Sequence, residues 1–386
     1  MKVLIIAGEA SGDLHGAGLI HEMKGLDPGM AFFAVGGERM AAEGATILVD
    51  CRKLAVMGIV EVLGHANTIL ECFRIVRDFL KAQRPDAVIL IDYPDFNLRV
   101  ARVAKRMGIK VIYYISPQIW AWRRGRVRFI SRWVDRMLVI FPFEVAFYKE
   151  AGVNVRFVGH PIMDSLRPRI SQESFKVKFG LRGDERLVAL MPGSRHGEVK
   201  RILPVMLEGS RGLMEQHPEN WRFALIVAPT IDRASLEPLI RKYADAVPIV
   251  EIQGYTYEAL KSAEIAFVAS GTATLEAAVI GVPMVVLYRL SWPTYWIGRM
   301  LVRVPAIGLV NIVAGETIVP ELIQGDATGE RLAETALAIM TDHDRRRTIV
   351  QGLARVRRNL GEPGAAARAA REVVHFLGGR TEPLAS

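Results

Sequence analysis

Several short stretches of this sequence place residues capable of chemistry directly after an apolar run. Gly8-Glu9-Ala10-Ser11-Gly12-Asp13 follows Val3–Ala7, with His15 two residues further on. Glycines at a strand-to-helix turn let backbone approach a ligand, and the N–H groups that open a helix favour an anion. Ser11 or Asp13 serves equally well as a cap for such a helix. Glu9 and His15 are not needed for capping, which points them toward a site. The spacing is not GxGxxG and no Walker lysine follows, so dinucleotide and P-loop readings are weak. Asp92 ends the run Ala87–Ile91, the position where catalytic groups collect in doubly wound folds. Asp95, one residue after Pro94, has a capping explanation. Asp92 has none, and it is the candidate general base.

The second half carries two comparable turns. Pro192-Gly193-Ser194-Arg195 follows Leu187–Met191; the planar fork of Arg195 suits a phosphate or carboxylate, although an arginine after a turn is also an ordinary surface residue. Ser270-Gly271-Thr272-Ala273-Thr274-Leu275-Glu276 follows Ile265–Ala269. Small residues and hydroxyls opening a helix hold a diphosphate with backbone N–H groups, and Glu276, one turn along, is placed to accept from ribose hydroxyls. The plain alternative is a Ser/Thr cap with an acid in the first turn. Two anion-ready turns in the same half favour a nucleotide site there.

The elements that must position these residues are βα units. Val3–Ala7, Ala31–Val35, Ala87–Ile91, Val111–Ile115, Met137–Ile140 and Arg156–Val158 read as continuous apolar strands, as parallel strands covered on both faces do. Helical patterns intervene near Gly12–Lys24, Ala66–Gln83, Phe96–Met107 and Pro142–Glu150. Pro161 and Pro168 interrupt the pattern, and alternation restarts with Leu187–Met191, Phe223–Ala228, Ile265–Ala269 and Pro283–Leu287. The 386 residues therefore form an α/β protein of two doubly wound parallel-sheet domains, 1–165 and 176–350, with terminal helices over 351–386. The terminal helices either pack back on the first domain or swap between subunits in a homodimer. A cleft between the domains is the expected ligand site.

The basic charge is local. From Arg99 to Arg136 eleven Lys and Arg stand against one acid, Asp135, so this window carries more net charge than the +9 of the whole chain. Within it, Trp120, Trp122, Arg123, Arg124, Arg126 and Arg128 mix aromatics with cations, which suits a membrane interface, a single-stranded nucleic acid, or a solvated basic face with one Trp in the core. Leu54–Val60 reads as lipid-facing or, more simply, as core. Cys51 and Cys72 have neither CxxC nor metal-ligand spacing, which fits a reducing compartment and excludes a disulfide scaffold. The apolar start is too short for a signal peptide, and no stretch approaches the roughly 18 apolar residues of a spanning helix. Asp342-His343-Asp344 matches a DxD metal motif but precedes three arginines in helical sequence, so it reads as a helix start and no metal is expected.

Taken together, GEASGD at Gly8, LAVMGIVEVLG at Leu54, DYPDFN at Asp92, ISPQIWAWR at Ile115, VGHP at Val158, PGSR at Pro192 and SGTATLE at Ser270 resemble the lipid-A-disaccharide synthases of Gram-negative bacteria, glycosyltransferase family 19, in order and over nearly the whole chain. The resemblance implies a GT-B fold of two Rossmann-like domains with the nucleotide on the C-terminal one. It also implies condensation of UDP-2,3-diacylglucosamine with 2,3-diacylglucosamine 1-phosphate (lipid X), giving a β-1,6 disaccharide 1-phosphate and UDP. An α-linked donor and a β product mean inversion by in-line attack, with one general base and no covalent intermediate. Asp92 matches the family's base, with Glu9, Asp13 and His15 sharing its site. Gly193, Ser194, Arg195, Ser270, Gly271, Thr272, Thr274, Glu276, Asn311 and Glu316 map to the UDP-sugar. No cofactor is implied, and the acylated substrates imply peripheral attachment to an anionic membrane at the cytoplasmic face of the inner membrane, not nucleic-acid binding. One departure is Val310, where the family pattern has Pro before the Asn. The rival readings are another two-domain UDP-sugar enzyme, such as the peptidoglycan N-acetylglucosaminyltransferase or a UDP-GlcNAc 2-epimerase, and a basic nucleic-acid module. The last leaves both anion-ready turns unexplained.

Overall fold

Burial on both faces is what turns the continuous apolar runs into strands. In a computed structural model, residues 1–55, 66–120, 124–243, 245–292, 295 and 306–378 are described, with only the backbone of Ala55, Ala66 and Arg124. The chain divides into two units, Met1–Met163 with the segment from Leu360, and Asp164–Asn359. The first holds a seven-stranded sheet in the order β3-β2-β1-β4-β5-β6-β7. Its strands are β1 (Lys2–Ala7), β2 (Ala31–Gly36), β3 (Thr46–Asp50), β4 (Ala87–Ile91), β5 (Lys110–Tyr114), β6 (Arg136–Val139) and β7 (Val155–Phe157). The second holds a six-stranded sheet in the order β10-β9-β8-β11-β12-β13. These strands are β8 (Arg186–Met191), β9 (Trp221–Ile226), β10 (Ile249–Ile252), β11 (Ile265–Ala269), β12 (Met284–Tyr288) and β13 (Glu321–Ile323). All pairings are parallel.

Both strand orders reverse direction once. In the first unit the reversal lies between β1 and β4, where Ala7 pairs with Ile91. In the second it lies between β8 and β11, where Met191 pairs with Val268. Crossover helices leave such a reversal to opposite faces of the sheet, opening a crevice beyond the strands' carboxyl ends. The turns after β1 and β4 therefore adjoin, as do those after β8 and β11. These four turns begin at Gly8, Asp92, Pro192 and Ser270.

Three strands, β3, β10 and β13, were not expected from the sequence. Each lies at a sheet edge and is only part-buried, so it lacks the continuous apolar run that reveals a central strand. The C-terminal helix Ala365–Leu377 belongs to the first unit and packs on helix Ala10–Leu26. Arg368 ties it to the Val158 carbonyl, and Lys110 caps its end through the carbonyls of Phe376 and Leu377. The preceding helix, His343–Asn359, stays with the second unit, so the crossing falls at Leu360, inside the segment expected to be terminal. Among the described residues no helix is long and apolar enough to cross a membrane.

Candidate functional site

In the first unit the reversal point brings Glu9 near Asp92, while His15, further along helix Ala10–Leu26, lies near His160. Asp92 has φ +46° and Tyr93 φ +48°, two successive left-handed residues without a glycine between them. Such conformations persist only where the surroundings hold them, and they concentrate at functional sites. The Tyr93 ring covers Gly8 so closely that a Cβ there would run into it, so only glycine fits. The Asp92 side chain opens to solvent yet is walled by protein. That crowding, with the like charge of Glu9, raises its carboxyl to about 6 against a hydrogen bond from the Tyr93 N–H. Glu9 is exposed at the N-cap of helix Ala10–Leu26 and makes no side-chain capping bond. Burial lowers His15 to about 4, and burial with His15 nearby lowers His160 to about 3. Burial thus favours the neutral form of both imidazoles, and His160 Nδ1 accepts from the Ile162 N–H at 3.1 Å. His160 was not singled out in the sequence; its signal was the VGHP turn just past β7.

Asp13, expected in the catalytic group, is corrected to a structural role. It is buried, and its Oδ1 accepts from the N–H groups of Gly37 at 2.6 Å and Met40 at 3.3 Å, its Oδ2 from Arg39 at 3.2 Å. It caps helix Glu38–Ala42 rather than its own, and its carboxylate is spent there.

In the second unit Arg195 is exposed at the N-cap of helix His196–Gln216 and forms no ion pair among the described residues. Gly193 has φ +110°, and the adjoining Ser194 N–H donates to Glu198 at 3.3 Å. After β11, Thr272 is exposed at the N-cap of helix Ala273–Ile280 without a side-chain cap. The N–H groups of Gly271, Thr272 and Ala273 find no acceptor among the described residues. Unpaired donors at a helix start form a ready anion cradle. Burial raises the Glu276 carboxyl to about 7, and it has no hydrogen-bond partner among the described residues.

Other expected donor contacts support the loop instead. Ser270 donates its hydroxyl to the Ile307 carbonyl at 3.0 Å. Thr274 is fully buried, donating to the Gly271 carbonyl at 2.7 Å and accepting the Val310 N–H at 3.3 Å. A proline at 310 has no N–H to give, so the family departure is matched by a bond it makes possible. Asn311 is buried with its amide fully used. Nδ2 donates to Val319 O at 2.9 Å and Glu321 Oε1 at 2.8 Å, and Oδ1 accepts from Ile318 and Val319. It shapes the loop and has no group left for a nucleotide. Glu316 is exposed and ion-paired to Arg355.

The basic window is also redistributed. Trp120 is buried, its indole N–H donating at 3.1 Å to the equally buried Glu144, so it is a core residue and not an interfacial anchor. Glu144, raised to about 7 by burial, also accepts from Ser116 and the Phe141 N–H. Arg126 pairs with Asp95 at 2.5 Å and is mostly covered. Trp122 and Arg123, the Arg124 side chain and residues 56–60 of the Leu54 run lie outside the described residues; Leu54 itself is core. The exposed cations are Arg99, Arg102, Arg106, Arg128 and Arg132, none ion-paired among the described residues. Three of them surround the Trp133 ring, with guanidinium carbons 5.8, 5.6 and 5.0 Å from its centroid for Arg102, Arg106 and Arg132. Asp342 accepts from the N–H groups of Asp344 and Arg345 at 3.0 Å, capping a helix as expected.

A family model described as lipid-A-disaccharide synthetase matches residues 3–373. The chain belongs to the lipid-A-disaccharide synthase family. It is 50% identical over 368 residues to the lipid-A-disaccharide synthase of Syntrophus aciditrophicus, covering 95% of this chain and 96% of that one. It is 47% identical over 377 residues to that of Geobacter sulfurreducens, covering 98% and 97%. Among solved structures it resembles a UDP co-structure of S. aureus MnaA, with a TM-score of 0.69 at 11% identity over 100% of this chain and 99% of that one. A likeness at that identity concerns the fold, which is GT-B. The chain is thus a glycosyltransferase of lipid A biosynthesis, of a family that implies a UDP-sugar donor and a lipid X type acceptor.

Proposed function

We propose that Asp92 is the general base of this transfer and that the turns after β8 and β11 hold the UDP. The acceptor 6-hydroxyl oxygen attacks the anomeric carbon as the bond to the UDP oxygen breaks. Its proton passes to the Asp92 carboxylate, so inversion needs no covalent intermediate. Negative charge grows on the departing diphosphate. The N–H groups of Gly271, Thr272 and Ala273, without an acceptor among the described residues, and the Arg195 guanidinium meet it, supplying the stabilisation with no metal in the scheme. Glu276, with no protein partner among the described residues, accepts from the ribose hydroxyls. The observation that carries the reading is a strained, crowded carboxylate at the sheet's reversal point. Asp92→Asn is expected to lower turnover by about 10²–10⁴ while leaving UDP affinity within twofold. Near-normal turnover would remove Asp92 from this role.

Peripheral attachment at the cytoplasmic face of the inner membrane is the second part of the proposal, through the arginines around Trp133. Anionic headgroups match five exposed cations that form no ion pair among the described residues, and the acylated substrates reside in such a surface. Each basic side chain near an anionic bilayer contributes about 1 kcal/mol. Changing Arg102, Arg106 and Arg132 to Ser should therefore weaken sedimentation with phosphatidylglycerol vesicles about 100-fold. Undiminished binding would place the contact elsewhere.

A further inference from the structure

We infer that Asn97 and Tyr113 are positioning residues for Asp92, holding its carbonyl so that the left-handed turn presents the carboxylate. The inference rests on the reading of Asp92 as the base. The Asn97 amide donates to the carbonyl of Ile91 at 3.1 Å and to that of Asp92 at 2.7 Å. The Tyr113 hydroxyl donates to the same Asp92 carbonyl at 2.5 Å. On the other side of the residue, the Asp92 N–H donates at 3.2 Å to Ile115, itself left-handed at φ +62°. Both polar groups of the Asp92 backbone are therefore fixed, and its carbonyl is held twice.

Two features separate this arrangement from ordinary packing. Asn97 and Tyr113 are both fully buried, so neither side chain reaches a substrate, and whatever they do passes through the residue they hold. In addition, Asn97 Oδ1 is buried without a hydrogen-bond partner among the described residues. An unsatisfied buried carbonyl is unfavourable, and an apolar side chain of the same size would avoid it. What an apolar residue would not supply is the pair of donors at the end of β4. Without them, two successive left-handed residues relax toward common backbone regions and the carboxylate swings away.

The test is a mutant cycle on the full-length enzyme with Asn97→Leu and Tyr113→Phe, each alone and combined with Asp92→Asn. Single variants should lose about 10- to 100-fold in kcat, the scale of a 1 Å misplacement, with donor KM and UDP binding within twofold. The acidic limb of the rate profile should move to lower pH as the carboxyl leaves its crowded position. In the Asp92→Asn background the same changes should cost nothing further. Near-normal kcat in both single variants, or an equal loss with and without Asp92, would overturn the inference. Near-normal turnover in Asp92→Asn alone would instead overturn the reading beneath it. Should Asn97→Leu not fold, Tyr113→Phe decides alone, since it removes one hydroxyl and keeps the ring.

Discussion

At its reversal point the first unit offers carboxylates, Glu9 and Asp92, the latter crowded and strained; the second offers backbone N–H groups and Arg195. The two sheets use the same topological device, and it supplies only a place where turns meet. The chemistry comes from what fills the turns. A negative, partly desolvated carboxylate suits drawing a proton from a neutral hydroxyl. Successive donors with no acceptor among the described residues suit an anion that must leave. In both units other polar groups near these turns are taken up by backbone. Asp13 in the first, and Ser270, Thr274 and Asn311 in the second, close loops and helix ends, so the groups that remain free are few and opposite in sign.

The sharpest way to break the comparison is at the cation. Arg195→Ala should lower kcat by about 10²–10³, the range for losing one donor to a developing oxyanion. It should also weaken UDP binding, which Asp92→Asn does not. A variant that loses turnover with intact UDP affinity would move Arg195 to the acceptor side and erase the contrast between the units.

A smaller effect is expected at Glu276. Glu276→Ala should raise the donor KM about tenfold with little change in kcat, because ribose contacts are made alike in ground and transition states. The raised carboxyl adds a second readout. The folded state holds this proton to about 7 whereas the unfolded chain releases it near 4.5, so this residue's contribution to stability falls as pH rises across that window. Glu276→Gln should accordingly melt at a higher temperature than the parent at pH 8 and not at pH 4. Equal melting at both values would mean that the carboxylate is compensated by a partner.

The central strands and the four turns at the reversal points were legible in the sequence because full burial writes continuous apolar runs, and such runs end where the turns begin. Edge strands β3, β10 and β13 were not, being half-covered. That Asp92 caps no helix was legible in the sequence, the helix after it starting at Pro94. Asp13 misled because the helix it caps lies 24 residues and more along the chain, from Gly37 to Met40. Asn311 misled in the same way, its partners being Ile318, Val319 and Glu321. Residue type and spacing show what a side chain is able to do. Which partner has already claimed its hydrogen bonds is a tertiary fact. Trp120 illustrates the same limit, because only the fold places Glu144 beneath it.

The central claim is that the proton leaves through Asp92, and the pH dependence of kcat/KM tests it most directly. A base works ionised, so the rate should rise with pH through an apparent pKa of about 6 and then level off. Removing the like charge with Glu9→Gln should shift that limb to lower pH. In Asp92→Asn the limb should vanish from the residual rate. If the limb persists unchanged in Asp92→Asn, another group takes the proton and the account is wrong.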